Sequence, residues 1–305
     1  MKQKIIIDTD PGHDDVMAIM FAIKSDFFDV LALTTVCGNS TIENTTKNAR
    51  YVLDLLNRTD IDVFSGAEKP LRRPLVQAVV HGKSGLDGVN PKNDSLLTGN
   101  AVGKILSLVK KNPGKVTIVA LGPLTNIALA IKRDPKTMMQ VSSLVIMGGA
   151  IKAPGNKNRV AEFNIFVDPE SAGIVFNSAI PKTIVPLDTC NHVKLQLSDF
   201  KKIKNKKIRS ELLKMNRPYI NNIARDEGVR AAMMYDPLTV YYLINPKVAK
   251  TYKCNIAVET DGALTRGMTV ADFRKKPENR SNVTVVDRIS AKEFKKDFIK
   301  ILSRE

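Results

Sequence analysis

Short apolar runs alternate along the chain with longer segments in which apolar residues recur every three or four positions. The longer spacing is typical of a helix with one buried face, whereas a short unbroken apolar run is typical of a buried strand. The short runs predict strands over residues 4–7, 30–36, 61–64, 116–120, 144–147 and 184–187. The helical spacing predicts helices over residues 14–24, 41–56, 100–110, 124–131 and 169–176. This alternation indicates an α/β fold with a mostly parallel central sheet flanked by helices.

The pattern becomes more helical after residue 190. It predicts helices over residues 199–226, 237–244 and 291–302, and short strands over residues 254–259 and 283–286. No repeat or low-complexity linker interrupts the 305 residues, so we expect a single domain over residues 1–305. Residues 66–97 show no periodicity, and loops of that length in a compact domain are often functional.

Three features of the composition exclude classes of protein. The longest apolar runs are about eight residues, whereas a helix that crosses a membrane needs about 20, so we expect no membrane span. The first residues lack the apolar stretch and cleavage site of a signal peptide. The three cysteines are far apart and odd in number, which favours a reducing cytoplasm over a disulfide framework or a zinc site.

The formal net charge of +16 raises the question of a nucleic-acid partner. Much of the excess positive charge lies in residues 201–209 and in the stretch that begins at Lys292. Neither stretch is interleaved with aromatic residues, and the chain contains no known nucleic-acid-binding motif. We therefore interpret the charge as a solvated, lysine-rich surface and expect no nucleic-acid partner.

Candidate chemistry gathers where the predicted strands end. The first strand runs into DTDPGHDD, which places four carboxylates within eight residues: Asp8, Asp10, Asp14 and Asp15. Asn39 follows the second strand, and further polar, glycine-rich segments follow the later ones. Ligands of parallel α/β sheets bind beyond the carboxyl ends of the strands. Clustered carboxylates there favour a hard divalent cation such as Ca²⁺ or Mg²⁺. Stabilisation of a helix N-terminus would explain Asp14 and Asp15 but not the other two.

A different class of enzyme also begins with a strand followed by Asp-x-Asp. Haloacid-dehalogenase-like phosphatases use the first Asp as nucleophile and the second as acid. They place Thr or Val two positions after the second Asp, where this chain has Gly12, and they need a later Gly-Asp-x-x-x-Asp that this chain lacks. The sequence therefore disfavours that class.

Later segments add candidates that the pattern alone does not separate. Asp168 and Asp236 each precede a proline at a predicted helix start, where helix capping is sufficient to explain either. His81 lies in a glycine-rich part of the long loop and is a candidate acid or base. Glu162 and Asn164 are two residues apart, so an extended segment would present both on one face to neighbouring hydroxyls.

The segments DTDPGHDD, HGKSGLDG, LGPLTNIA, AEFNIFVDPE and YDPL, in this order, resemble the inosine-uridine preferring nucleoside hydrolases. The resemblance extends from the first strand to at least residue 244, and its N-terminal motif is highly specific. It implies hydrolysis of the N-glycosidic bond of ribonucleosides, which releases ribose and a free nucleobase. It also implies one bound Ca²⁺, and it selects Asp236 over Asp168 for the site.

The resemblance assigns roles residue by residue. It implies that Ca²⁺ is held by Asp10, Asp15, Asp236 and the backbone carbonyl of Leu121, with Asp8 supporting these ligands. Ca²⁺ orients the attacking water and lowers its pKa, and Asp10 takes the proton of that water as general base. Side chains matching family positions that contact the ribose are Asp14, Asn39, Met147, Asn156, Glu162 and Asn164. Recognition of this kind disfavours 2′-deoxy substrates.

One position departs from the family pattern. In the best-known branch a histidine directly precedes the second-half aspartate and protonates the departing base, but in this chain that residue is Tyr235. The leaving-group acid and the preferred base are therefore open, and His81 remains as a candidate close to the base. The departure also motivates an alternative, a catalytically weakened homologue that binds nucleosides. Members of the family tend to form homodimers or homotetramers, and we expect the same of this chain.

Overall fold

The computed structural model describes residues 2–91 and 99–305. Its centre is a nine-stranded sheet in the order β10-β9-β11-β6-β5-β4-β1-β2-β3, and a separate two-stranded sheet pairs β7 with β8. The strands are β1 (Gln3–Thr9), β2 (Phe28–Thr35), β3 (Val63–Ser65), β4 (Val116–Ala120), β5 (Ser143–Met147), β6 (Lys182–Val185), β7 (Lys194–Leu195), β8 (Ala232–Met233), β9 (Ala249–Val258), β10 (Thr269–Asp272) and β11 (Val283–Ile289).

Helices cover both faces of the large sheet. They are α1 (His13–Ser25), α2 (Ile42–Leu55), α3 (Ala101–Lys111), α4 (Thr125–Arg133), α5 (Pro135–Met138), α6 (Phe163–Val167), α7 (Pro169–Asn177), α8 (Leu187–Cys190), α9 (Leu197–Phe200), α10 (Lys206–Glu227), α11 (Tyr235–Ile244) and α12 (Ala291–Leu302). In the part of the chain that the structure describes, no helix is both long and apolar enough to cross a membrane.

Seven neighbouring strands of the large sheet, from β11 to β3, run parallel, and β9 and β10 add an antiparallel edge. This architecture confirms the predicted α/β class with its mostly parallel sheet. The parallel strands are buried on both faces because one apolar cluster centres on α1 and α11 and a second lies on the opposite face. Burial on both faces explains why these strands read as continuous apolar runs.

The strand order of the sheet reverses at β1: β2 and β3 follow on one side of β1, and β4, β5 and β6 follow on the other. The two loops that leave β1 and β4 therefore separate and open a crevice at the carboxyl edge of the sheet. The aspartate-rich segment that follows β1 lies at this crevice.

Two predicted elements differ from the structure. The helix predicted over residues 199–226 is interrupted, because α9 ends at Phe200 and α10 begins after Asn205, whose side chain accepts the backbone N–H of Ile208. The strand predicted over residues 184–187 ends at Val185, since Pro186 has no N–H for the ladder and α8 begins at Leu187. Of the long loop predicted over residues 66–97, residues 66–91 contain no helix or strand, and residues 92–98 lie outside the described part.

Candidate active site

The loop between β1 and α1 is tied together by its own aspartates. Asp8, near the end of β1, accepts hydrogen bonds from the Thr34 hydroxyl at 2.5 Å and from Asn126 Nδ2 at 2.8 Å. Asp15, in the first turn of α1, turns back and accepts from the Thr9 hydroxyl at 2.5 Å and from the backbone N–H of Gly12 at 3.0 Å. A carboxylate is favourable at that position because the helix N-terminus carries partial positive charge. These contacts fix the loop between strand and helix.

Asp10 lies in the middle of this loop and is fully buried. Its Oδ2 accepts the backbone N–H of Asn39 at 2.7 Å, and Asn39 Nδ2 donates to the Asp10 carbonyl at 3.1 Å. Gly38 and Gly122 border the carboxylate so closely that a Cβ at either position would collide with it. The backbone of two neighbouring loops therefore holds Asp10 in place, while its Oδ1 has no hydrogen-bond partner among the described residues.

Asp14, Asp15 and Asp236 each offer a carboxylate oxygen within 4.8 Å of the others. Asp236 comes from the first turn of α11, far along the chain. Burial, reinforced by the charge of Asp15, raises the pKa of Asp10, Asp14 and Asp236 well above the usual range of a carboxyl group. Burial also raises the pKa of Asp8 to about 7. The protein thus buries several carboxyl groups whose simultaneous ionisation is unfavourable.

The cluster fits a divalent cation. Among residues 2–91 and 99–305, the buried side-chain oxygens without a hydrogen-bond partner include Asp8 Oδ2, Asp10 Oδ1 and Asp14 Oδ1. Such oxygens are costly to bury unless a partner satisfies them. A hard cation that prefers oxygen ligands would satisfy unpartnered carboxylates and stabilise their ionised forms. The oxygen-only donor set therefore matches Ca²⁺ or Mg²⁺ better than zinc.

A pocket of about 220 Å³ opens directly above this cluster. We call its lower surface the floor; it consists of Asp14, Asp236, Leu121, Met147, Glu162 and Asn164, with Asn39 beside them and Asp10 and Asp15 buried beneath. In the floor, Asn164 Nδ2 donates to the Leu121 carbonyl at 2.6 Å and to the Met147 carbonyl at 3.3 Å. Glu162 caps α6 by accepting the backbone N–H of Asn164 and of Ile165. The floor is therefore polar and internally hydrogen-bonded.

Two walls rise from the floor. The first, which we call the histidine wall, combines residues 78–81 of the long loop with Tyr219, Ile223 and Asp226 from α10, and with Tyr235 at the start of α11. The second, which we call the lysine wall, consists of Asn156 and Lys157 from the segment between β5 and α6 and of Phe163, the first residue of α6. The pocket is thus enclosed by segments that follow strands of both sheets.

His81 is held by a stack of aromatic rings. The Tyr219 ring stacks on His13 and His81 with centroid distances of 4.7 and 5.2 Å, and the two histidine Nδ1 atoms lie 3.0 Å apart. The backbone N–H of His13 lies 3.2 Å from His81 Nδ1, and His13 Nε2 lies 3.0 Å from the Asp87 carbonyl. His81 Nε2 lies 3.8 Å from Asp14 Oδ1. Burial, and then the nearby His13, lowers the pKa of His81 well below its usual value.

The structure brings the residues predicted from the sequence to one place. Ten of them line the pocket: Asp14, Asn39, His81, Leu121, Met147, Asn156, Glu162, Asn164, Tyr235 and Asp236. Asp10 and Asp15 lie directly below the pocket. Asp168 lies outside it and caps α7, where its carboxylate accepts the backbone N–H and the hydroxyl of Ser171.

Other pocket residues do not stand out in the sequence. Tyr219, Ile223 and Asp226 read as ordinary residues of a long helix, and Lys157 and Phe163 as part of a polar loop. The four-residue step from Tyr219 to Ile223 does place both on one helix face, but it does not indicate what that face contacts. The sequence places His13 in the aspartate loop without indicating its contact to His81.

An acidic cluster at the switch point of a parallel sheet, with a pocket above it, is the place where α/β enzymes bind their ligands. The family model "Inosine-uridine preferring nucleoside hydrolase" matches residues 5–296. The chain is 41% identical over 296 residues to the pyrimidine-specific ribonucleoside hydrolase RihA of Shigella boydii, with 94% of each chain covered. The chain therefore belongs to the inosine-uridine preferring nucleoside hydrolase family.

Solved structures agree with this assignment. A plant nucleoside hydrolase, PpNRh1, superimposes with a TM-score of 0.93 at 32% identity, with 100% of both chains covered. A purine-preferring ribonucleoside hydrolase from Gardnerella vaginalis superimposes with a TM-score of 0.92 at 29% identity and covers 99% of this chain and 98% of its own. The predicted family and the predicted class of enzyme, a ribonucleoside hydrolase that acts on the N-glycosidic bond, are thereby confirmed.

Proposed function

We propose that the protein is a Ca²⁺-dependent hydrolase that converts pyrimidine ribonucleosides to ribose and the free base. The observation that carries this proposal is the buried aspartate cluster, whose unpartnered oxygens lie beneath a pocket lined by polar side chains. In this proposal, the Ca²⁺ dependence and the roles of individual residues are carried over from the family to this chain. The preference for pyrimidines is supported by the 41% identity to a pyrimidine-specific relative.

Asp10, Asp15, Asp236 and the backbone carbonyl of Leu121 are the ligands that we propose for Ca²⁺. Asp15 and Asp236 belong to the group whose oxygens lie within 4.8 Å, and Asp14 is its third member. Asp10 lies beside that group, and its Oδ1 has no partner within the described chain. When bound, Ca²⁺ supplies positive charge that stabilises the ionised aspartates and lowers the pKa of water in the site.

Asp10 is the general base in this proposal. A buried carboxylate with one oxygen fixed by a backbone N–H and the other unpartnered is oriented to accept a proton from a water molecule. The water oxygen then bonds to C1′ as the bond between C1′ and the base nitrogen breaks. The transition state carries oxocarbenium character, as in other glycoside hydrolysis, and the negative floor stabilises the developing positive charge on the sugar.

The ribose occupies the floor. Asp14, Asn39, Asn156, Glu162 and Asn164 supply the hydrogen bonds to its hydroxyl groups, and Met147 lies beneath the sugar ring. Because Asp14 Oδ1 has no hydrogen-bond partner within the described chain, a sugar hydroxyl can donate to it. A substrate without the 2′-hydroxyl would leave buried polar groups unpaired, which costs affinity.

The base lies against the histidine wall. His81 presents its Nε2 towards Asp14 and the pocket, and because its lowered pKa keeps the ring neutral, we assign it partial acid assistance through a hydrogen bond to the departing base. Tyr235 borders the same region and orients the base through its ring and hydroxyl. In this proposal, His81 and Tyr235 together replace the family histidine that protonates the departing base.

The decisive experiment measures base release from uridine, cytidine, inosine and adenosine by the purified protein. We expect base release from every ribonucleoside that reacts to require added or retained Ca²⁺. We expect the rate of base release to be highest for uridine and cytidine. Faster hydrolysis of inosine than of uridine would contradict the proposed base preference alone. Tight nucleoside binding without base release would favour the weakened homologue that Tyr235 suggests, against which the complete aspartate set argues.

We further propose a cytoplasmic enzyme that works as a homodimer or homotetramer of one-domain subunits. The three cysteines are buried and free, which is consistent with a reducing compartment. Light scattering of the purified protein, and localisation of a tagged chain in its host, test these two points.

A further inference from the structure

The lysine wall reaches the pocket on a segment that burial does not hold in place. Residues 148–162 connect β5 to α6, and they supply Asn156 and Lys157 to the wall and Glu162 to the floor. None of residues 151–160 is buried. A stretch with few buried apolar contacts opens easily unless hydrogen bonds hold it. The position of Asn156 beside the pocket therefore depends on the hydrogen bonds of this segment.

The first half of the segment is held by a carboxylate from outside it. Asp188 belongs to the short helix α8, which follows the neighbouring strand β6. Its Oδ2 accepts the backbone N–H of Ile151 at 2.9 Å, and its Oδ1 accepts those of Lys152 at 2.7 Å and Ala153 at 3.2 Å. Successive backbone N–H groups around one anion form a nest, and hydrogen bonds to an ionised acceptor are roughly twice as strong as neutral ones. Asp188 thus anchors the segment to the next strand end.

The second half of the segment is a closed turn. The backbone N–H of Lys157 donates to the Ala161 carbonyl at 3.1 Å, and Asn156 Oδ1 accepts the backbone N–H of Phe163 at 2.9 Å. These contacts fix the shape of the turn and join one of its ends to α6. The other end follows Ala153 in the chain almost directly. The anchor at residues 151–153 therefore decides where that end, and with it Asn156, lies.

We propose that Asp188 is a positioning residue for the ribose: its carboxylate holds residues 151–153 and thereby places Asn156 against a hydroxyl group of the sugar. This inference rests on the proposed function, in which Asn156 supplies one of the hydrogen bonds to the ribose. Asp188 is not among the described residues that line the pocket. It therefore acts through the segment and not on the substrate.

The test is a double-mutant cycle that combines Asp188→Ala with Asn156→Ala and measures base release from uridine by the Ca²⁺-loaded enzyme. We expect Asp188→Ala to lower kcat/KM about 5- to 10-fold, the scale of one lost hydrogen bond. The change should come mainly from KM, because a hydroxyl contact is present in the bound substrate as well as in the transition state. In the Asn156→Ala background, Asp188→Ala should change kcat/KM by less than about 2-fold, because the contact that it disturbs is already absent.

A matched control and a second readout separate positioning from general stability. Asp199 also accepts a backbone N–H at a four-residue helix, from Gln196 at 3.0 Å, and it is not among the described residues that line the pocket. Asp199→Ala should lower the melting temperature and leave KM unchanged. Backbone hydrogen exchange at residues 151–153 should become faster in Asp188→Ala and not in Asp199→Ala. Asp188→Asn, which keeps the size and one acceptor oxygen, should change KM and exchange in the same direction by less.

Each contrary result overturns a defined step. Equal effects of Asp188→Ala with and without the Asn156 side chain would mean that Asp188 does not act through Asn156. Faster exchange at residues 151–153 with unchanged kcat/KM would make the nest purely structural. A fall in kcat with KM unchanged would place the effect on the reacting groups and not on the ribose contact. Absence of base release by the unaltered protein would contradict the proposed function and the role of Asn156, whereas the exchange result would still report on the anchor.

Discussion

The floor of the pocket and its histidine wall are built in different ways. Asp10 and Asp15, directly beneath the floor, are fully buried and fixed by backbone groups of the loops that follow parallel strands. The histidine wall joins an irregular loop, in which Val79 is 69% exposed, to one face of the long helix α10. A change in the floor disturbs a hydrogen-bonded network, whereas a change in the wall alters one contact to the base. The floor should therefore decide whether hydrolysis occurs, and the wall which base leaves.

The strongest test of this comparison removes Asp10, the proposed general base beneath the floor. Asp10→Asn keeps the size of the side chain but removes the proton acceptor, so kcat should fall at least about 100-fold. Circular dichroism and the melting temperature should show that the fold is kept. The control is Asp168→Asn, another buried aspartate, which should lose stability but little kcat because it caps α7 outside the pocket. A fall of only a few-fold in Asp10→Asn would mean that another group deprotonates the water.

Removal of the metal should lower the free energy of unfolding by an amount that depends on pH. In the metal-free protein, burial raises the pKa of Asp8 to about 7 and that of its neighbours above the ordinary value of 3.8. The free energy of unfolding should therefore fall as the pH rises from about 4 through about 7, because the folded state has to ionise groups that are already ionised when unfolded.

Ca²⁺ at 100 times its Kd should restore about 2.7 kcal/mol at pH 8, or roughly 4 °C in the melting temperature of a chain of 305 residues. At pH 5 the gain should be much smaller, because protons compete for the same oxygens. Thermal unfolding with chelator and with Ca²⁺ measures both values, and elemental analysis should find one Ca²⁺ per chain. Zinc in the purified protein, or full activity without metal, would contradict the assigned ligands.

The effect on kcat of a substitution in the histidine wall should depend on the leaving group. His81→Ala should slow hydrolysis of uridine and inosine by roughly 10- to 100-fold, the scale of partial loss of a general acid. It should affect p-nitrophenyl riboside much less, since nitrophenolate leaves without a proton. Comparison of kcat for these substrates separates an acid role from a structural one. Equal slowing of all of them would mean that His81 holds the structure or the ribose and gives no proton.

The same contrast explains what the sequence could reveal. The floor was predictable because each strand end of a parallel sheet lies at one edge, and DTDPGHDD, Asn39 and the AEFN segment all follow strands. The walls were less predictable, since the docking of α10 against residues 78–81 depends on tertiary contacts such as the Asn222 Nδ2 hydrogen bond to the Val80 carbonyl at 3.0 Å. The break before α10 depends likewise on capping by Asn205 rather than on periodicity.

The smallest effect should come from the hydroxyl of Tyr235. A phenol has an ordinary pKa of about 10, so at pH 7 it offers a departing base a hydrogen bond rather than a readily transferred proton. The backbone of Tyr235 forms the first turn of α11 next to Asp236, and its ring borders the pocket. Tyr235→Phe keeps the ring and this turn, so kcat for uridine, inosine and p-nitrophenyl riboside should each change by less than about 3-fold, the scale of one hydrogen bond of about 0.5 kcal/mol. Tyr235→His, which restores the family residue, should raise inosine hydrolysis relative to the nitrophenyl substrate. If Tyr235→Phe instead stops inosine and spares the nitrophenyl substrate, the phenol is the proton donor, and the proposed roles of His81 and Tyr235 are reversed.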